Sequence, residues 1–267
     1  MSNANTALVT GASAGIGAVY ADRLARRGHD LILVARDQAR LNALAARLRA
    51  ETGRSVDILA ADLGARSDLL RVEHRLRQDP SIVMLVNNAG IAVAGPMRGS
   101  DLDRLEAMVN INIMAALRRA HAAVEGFMAR GRGTLINVSS VLALAPEQFN
   151  AVYSGTKSFM LNFSMALQTE LANPGIRVQA VLPGATRTEL WGKAGVDVAA
   201  MPADRLMDAG EMVDAALAGL DIGEAVTIPS LPDMAEWSRF NDARLAMGPN
   251  LSLAHAARRY QRAGEAA

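Results

Sequence analysis

The chain alternates between short, nearly unbroken apolar runs and longer stretches whose apolar positions return every three or four residues. The short runs are residues 6–10 (TALVT), 30–35 (DLILVA), 56–61 (VDILAA), 82–87 (IVMLVN), 134–139 (TLINVS), 177–182 (RVQAVL) and 225–229 (AVTIP). Their length and near-continuous apolar content predict strands covered on both faces. Helical periodicity fills residues 15–28, 37–52, 66–79, 101–129, 150–173 and 210–221. Regular βα alternation predicts an α/β fold: a doubly wound parallel sheet of about seven strands, right-handed crossovers, and helices on both faces. Gly28, Gly53 and Gly175 follow helical segments, and Asn173-Pro174-Gly175 closes the long helix after Tyr153. No repeat or linker interrupts the pattern, so residues 1–267 read as a single domain. Residues 189–210, with Gly192, Gly195 and Pro202, have the character of a substrate lid. The segment from about 230 to 267 reads as appended helices that cover either the cleft or a subunit contact.

Composition narrows the function. A hydrophobic fraction of 51% with 21% charged residues supplies a buried core and argues against disorder. The net charge of +1, with both signs interleaved, gives no nucleic-acid footprint and no membrane-binding face. The absence of cysteine excludes disulfides, thiolate chemistry and cysteine-ligated metals. His29, His74, His121 and His255 are scattered, and no metal is expected. The start shows no basic segment ahead of an apolar run, and no apolar run reaches the ~18 residues of a spanning helix, so a cytoplasmic protein is expected.

The first chemical signal follows the first strand. Residues Thr10 to Gly17 read TGASAGIG, with Gly11, Gly15 and Gly17 spaced G-x3-G-x-G around Ser13, Ala14 and Ile16. Glycines there permit a tight strand-to-helix turn and let the backbone meet a pyrophosphate at the helix N-terminus; otherwise the turn merely needs glycine. No G-K-[ST] sequence follows, so a P-loop is not supported. At the end of the second strand, Ala35 stands where an NAD binder places an acid, and Arg36 comes next. A guanidinium there suits a 2′-phosphate, so NADP(H) is preferred, with NAD(H) the alternative. Asp37 either takes the ribose or begins the next helix, and Arg40 either assists Arg36 or is solvated. Asp62, followed by Leu63, passes the adenine edge or caps a helix.

Taken in order, the motifs form a set: T-G-x-x-x-G-I-G at 10–17, D-L at 62–63, N-N-A-G at 87–90 and Asn112 in VNIN. Ser140 in INVSS, Y-x-x-x-K at 153–157 and PGATRT at 183–188 complete it. In this the chain resembles the short-chain dehydrogenase/reductase family, over residues 6 to about 190. The resemblance implies a Rossmann-type fold and cofactor contacts at Asn88, Ala89, Gly90, Tyr153, Lys157, Pro183, Gly184, Thr186 and Thr188. It also implies catalysis by Asn112, Ser140, Tyr153 and Lys157. Hydride would pass between the dinucleotide and a carbonyl carbon, while Tyr153 exchanges a proton with the oxygen and Ser140 holds that oxygen. The asparagine matching Asn112 steadies a water that links the lysine to solvent.

The chemistry of the residues agrees. A free phenol has a pKa near about 10, and an ammonium at i,i+4 lies on the same helix face and favours the phenolate. The chain has only two lysines, Lys157 and Lys193, and one of them sits at that spacing from Tyr153. Residues 91–97, 141–150 and 188–201 border the expected cleft and are mostly apolar, with Leu142, Leu144, Phe149 and Trp191 as wall candidates. Arg187 and Lys193 are isolated, so the expected substrate is an apolar or aromatic ketone, aldehyde or secondary alcohol. The helical faces and the resemblance point to a homodimer or homotetramer. The rival is a non-catalytic NADP(H)-binding sensor on the same fold, which has no use for serine, tyrosine and lysine at this spacing.

Overall fold

Among the described residues, seven strands lie parallel in one sheet: β1 (Thr6–Thr10), β2 (Asp30–Ala35), β3 (Val56–Ala60), β4 (Ile82–Asn87), β5 (Gly133–Val138), β6 (Ile176–Val181) and β7 (Val226–Thr227). These come from a computed structural model that describes residues 5–197 and 200–260. Residues 198–199 of the expected lid and 261–267 of the expected tail lie outside the described residues. The strand order is β3-β2-β1-β4-β5-β6-β7. The chain winds outward from β1, returns beside it as β4, and winds outward the other way. Loops leaving β1 and β4 therefore diverge onto opposite faces and open a crevice at the strands' C-terminal ends.

Both faces of the sheet are covered, as the unbroken apolar runs require. Ala7 and Val9 of β1 face one core with α1 (Gly15–Arg26), α2 (Gln38–Thr52) and the helix at Ala209–Asp221. Leu8, one residue between them, faces the other core with α3 (Arg66–Gln78) and the long helices on that side. All three are fully buried.

The helical segment expected at 101–129 is not one α-helix. It runs as α4 (Leu102–Val109), a π-helical stretch at Asn110–Ala115, and α5 (Ala116–Arg130). Such a widened turn shifts the helix face locally. Here Asn112 is buried while Asn110 is exposed. The remaining helices are α6 (Ala151–Glu170), α7 (Glu189–Ala194), α8 (Ala209–Asp221) and α9 (Met234–Ala246).

The chain divides into two compact units, Met1–Pro229 and Ser230–Ala267. The second unit contains α9, capped by Asp233 accepting from the Ala235 amide at 2.8 Å. No residue of α9 is buried, and Trp237 and Phe240 face each other at 5.6 Å.

One feature of the first unit runs against its own packing. Arg119 on α5 is fully buried, and its Nε donates to Asn87 Oδ1 at 2.8 Å. Among the described residues neither terminal guanidinium nitrogen has a hydrogen-bond partner. Burial draws its pKa down to about 9. A buried cation so poorly matched opposes folding, although removing it leaves Asn87 short of a donor. Arg119→Met is therefore expected to stabilise the protein by about 1 kcal/mol, raising Tm by about 2–4 °C in a thermal melt. Destabilisation by more than about 2 kcal/mol would contradict this reading.

Candidate active site

The crevice is stitched together where β1 and β4 end. Thr10 Oγ1 donates to Val86 O at 3.1 Å and accepts from the amides of Asn88 and Ala89, each at 3.1 Å. Asn88 returns the contact, its Nδ2 donating to Thr10 O at 2.9 Å. Gly17 packs so tightly behind this brace that a Cβ would lie 2.3 Å from Gly11 O and 2.6 Å from Asn88 Nδ2. Gly11 and Gly15 adopt left-handed φ of +69° and +53°, which glycine takes without strain.

The turn delivers an open helix end. The N-cap of α1 is Ala14, which offers no side-chain cap, and the first turn holds no acid. The first intrahelical bond runs from the Ala18 amide to Ala14 O, leaving the preceding amides without a partner inside the helix. An unmatched N-terminus of a 12-residue helix, fronted by glycine backbone, fits a pyrophosphate. Ser13 and Ile16 are partly exposed at this turn.

At the adenosine end, Ala35 closes β2 and Arg36 is exposed with no ion pair among the described residues. Asp37 is the N-cap of α2 and accepts from the Arg40 amide at 3.0 Å, which resolves its two readings in favour of the helix. Arg40 pairs with Glu189 at 2.7 Å. Asp62 accepts from the Gly64 amide at 2.9 Å, and Leu63 is buried in the core beside α3. These residues fit a 2′-phosphorylated dinucleotide: Ala35 puts no acid at the strand end, and the exposed Arg36 guanidinium beside it suits a phosphate.

The reacting end lies between β5 and α6. Ser139 and Ser140 point opposite ways, as neighbours in extended backbone must. Ser139 Oγ donates to Lys157 O at 2.7 Å, on the side facing α6. Ser140 Oγ accepts from the Leu142 amide at 3.2 Å and donates weakly to Pro183 O at 3.4 Å, and the Ser140 side chain is near enough to the Tyr153 hydroxyl to favour its ionised form. Lys157 Nζ donates to Val138 O at 3.1 Å and lies 5.5 Å from the Tyr153 ring centroid.

Two asparagines fix the frame. Asn112 accepts from the Ile91 amide and donates to Ile91 O, both at 2.9 Å, and also donates to Thr156 Oγ1 at 3.1 Å. It thus pins the loop after β4 to α6, while a Cβ on Gly90 would lie 3.0 Å from its Oδ1. Asn150 caps α6 by accepting from the Val152 and Tyr153 amides at 3.0 Å, and its Nδ2 donates to Gly95 O at 2.8 Å. The sequence reading missed Asn150, although an Asn just ahead of a helical run is a capping signal.

The cleft gathers Ile16, Asn88, Gly90, Ser140, Tyr153, Lys157, Pro183, Gly184, Thr186, Thr188 and Trp191 from the expected set. It adds Ile91, Val138 and Leu190 to the wall. Phe149 meets Tyr153 edge-on at 5.4 Å and Trp191 at 5.8 Å. Trp191 is held by Nε1 donating to Thr186 O at 2.9 Å. Leu142 belongs to an apolar cluster with Leu105, Met108 and Tyr153, against which Phe149 and Leu190 pack. Leu144 is exposed. A more open hollow outside α1 is lined by Asp22, Arg23, Arg26 and Arg47, but these charges pair with one another and leave no reactive group.

Burial dominates the electrostatics at Tyr153. It pushes the phenol well above its ordinary value, and the nearby Ser140 side chain only partly offsets this. The lysine expected to make it acidic is itself desolvated, with its pKa drawn down to about 8. Burial thus keeps the Tyr153 hydroxyl protonated through the neutral range.

Comparison with known proteins places this geometry. The family model described as short chain dehydrogenase matches residues 5–198. A short-chain dehydrogenase from Sphingobium yanoikuyae in complex with NADPH superposes with a TM-score of 0.93 at 49% identity, covering 96% of this chain and all (100%) of that one. The bulky-bulky ketone specific alcohol dehydrogenase from Comamonas testosteroni gives a TM-score of 0.90 at 44% identity, covering 98% of this chain and 100% of that one. The very-long-chain 3-oxoacyl-CoA reductase of Anas platyrhynchos is 34% identical over 188 residues, 69% of this chain. The match spans only 60% of that relative's length. Among the described residues no helix is long and apolar enough to cross a membrane.

The buried ammonium makes a prediction about stability. Its folded pKa of about 8 lies below the usual 10.5, so between these values the unfolded chain holds more protons and stability rises with pH. Lys157→Met removes the penalty and is expected to be more stable at pH 7, by at most about 3 kcal/mol. That advantage should shrink as pH rises from about 8 to 10.5, measured by denaturant unfolding. An advantage that grows with pH would contradict the burial.

Proposed function

This chain belongs to the short-chain dehydrogenase family, and from that premise we propose that it is an NADP(H)-dependent oxidoreductase interconverting a ketone or aldehyde and an alcohol. The observation that carries the reading is the gathering of Ser140, Tyr153 and a buried Lys157 in one cleft at the open end of α1. The bound dinucleotide supplies hydride to the carbonyl carbon, or accepts it in reverse.

The residues of the chain do the rest. Ser140 holds the carbonyl oxygen and Tyr153 donates its proton to it as negative charge develops. Burial keeps that proton on the phenol until it is needed. Lys157, charged below about pH 8, lowers the cost of the phenolate left behind and reaches toward the nicotinamide ribose. Asn112 holds the loop at Ile91 and, through Thr156, the helix turn that carries Tyr153. The amides at the start of α1 would bind the pyrophosphate and Arg36 would hold the 2′-phosphate, assisted by Arg40.

Phe149, Leu190 and Trp191 give the cleft an apolar, aromatic wall, which favours ketones or alcohols bearing bulky apolar groups. The Comamonas structure named for bulky-bulky ketones supports that class. A cytoplasmic homodimer or homotetramer belongs to the same proposal.

A panel of ketones, aldehydes and alcohols, including aryl ketones bulky on both sides and a 3-oxoacyl thioester, tests the reading with NADPH and NADH in parallel. Loss of reduced-ring absorbance is expected with the bulky ketones, with NADPH preferred by at least about tenfold, the scale of one charge-assisted contact. Arg36→Asp should weaken NADPH and relatively favour NADH. A wild-type preference for NADH, or selectivity unchanged by Arg36→Asp, would overturn the cofactor assignment. Dinucleotide binding without turnover of any carbonyl would favour the sensor.

A further inference from the structure

The strap between β6 and α7 ends on two contacts that no catalytic role requires. Thr188 lies against the glycine turn, where a Cβ on Gly15 would come 3.1 Å from its Cγ2. The next residue, Glu189, reaches Arg40 near the start of α2, with Oε1 and Nη1 at 2.7 Å across 149 positions of sequence. Lys193 holds the other carboxylate oxygen at 2.9 Å, and Asp37 lies 3.4 Å from Arg40 Nε. The strap is itself anchored from behind, with the Arg187 amide donating to Met207 O and the Met207 amide to Ala185 O, each at 2.9 Å.

These contacts have a common geometry. Gly15 opens α1, whose unmatched amides face the pyrophosphate in the proposed function. Arg40 stands beyond it toward the adenosine end. Thr188 and Glu189 therefore approach the dinucleotide groove from the opposite wall, one at its middle and one at its adenosine side. We infer that Glu189, by pairing with Arg40 across the groove, is a positioning residue that latches the strap over the bound dinucleotide and slows its release. The inference rests on the proposed cofactor site.

The chemistry of the pair suits a latch that must open. Both partners are about half exposed, at 50% and 47%, so the contact is weak and sensitive to salt. Glu189 is held below the usual carboxylate range by Lys193 and Arg40, so it stays ionised through the neutral region. A permanent buried bridge in the same place would trap the product dinucleotide.

Release of NADH and of NADPH, followed by the fluorescence of the reduced ring in a displacement experiment, tests this. NADH has no 2′-phosphate, so its release reads the latch without the phosphate contact. Glu189→Gln is expected to release both dinucleotides about two- to fivefold faster at low salt, with the difference lost near 1 M salt. Arg40→Gln should accelerate NADH release equally, and the double variant should be no faster than either single one. NADH release unchanged in Glu189→Gln, or independent effects that multiply in the double variant, would overturn the latch alone. Failure of the wild-type protein to bind either dinucleotide would overturn the cofactor reading and the latch with it. Both substitutions are at exposed positions, and a thermal melt identifies any variant that fails to fold.

Discussion

Withdrawal of Tyr153, Ser140 and Lys157 from water is the constraint on which the site depends. In water a phenol and an ammonium would each be solvated, and neither would influence the other strongly. Buried side by side, the phenol holds its proton more firmly and the ammonium holds its own less firmly. Both shifts disfavour charge, yet near neutral pH only the phenol is uncharged: Lys157, with its pKa at about 8, remains the cation beside a protonated Tyr153. The site is thereby set up to give a proton where charge develops, which is where an enzyme gains most.

Holding that arrangement takes a frame of polar contacts more than apolar packing. Thr10 and Asn88 clasp the ends of β1 and β4, so the crevice formed by the strand order keeps its width. Asn112 mimics a strand partner for Ile91 while reaching Thr156, and Asn150 ties the first turn of α6 to Gly95. The reacting residues are thus fixed from three elements distant in sequence. Each brace is itself buried or nearly so, where a hydrogen bond is costly to break. The π-helical turn at Asn110–Ala115 belongs to this frame, because it brings Asn112 inward.

Much of this was legible along the chain, for reasons that differ by feature. The strands at 6–10, 30–35 and 82–87 match the structure residue for residue, since burial on both faces leaves an unbroken apolar run. The glycine turn was readable because left-handed φ at Gly11 and Gly15 calls for glycine, and the gathering of Ser140, Tyr153 and Lys157 in one cleft follows the strand end and helix face on which their spacing puts them. The π-helical turn was not, since the apolar period passes through residues 101–129 without a break. The direction of the Tyr153 shift was also hidden. Sequence shows the lysine one turn away but not the depth of burial that outweighs it. The Arg40–Glu189 pair joins positions 149 residues apart, beyond any local pattern. The unpaired state of Arg36 among the described residues likewise depends on tertiary neighbours.

The account reduces to one proton on one oxygen. Single-turnover reduction of a bulky ketone by Tyr153→Phe, with NADPH binding measured on the same preparation, tests it most directly. The account predicts NADPH affinity within about twofold of wild type and hydride transfer slowed by about 10²–10⁴, the range of a lost general acid. Hydride transfer within about tenfold of wild type would mean that the proton comes from elsewhere, and the assignment of Tyr153 would fail.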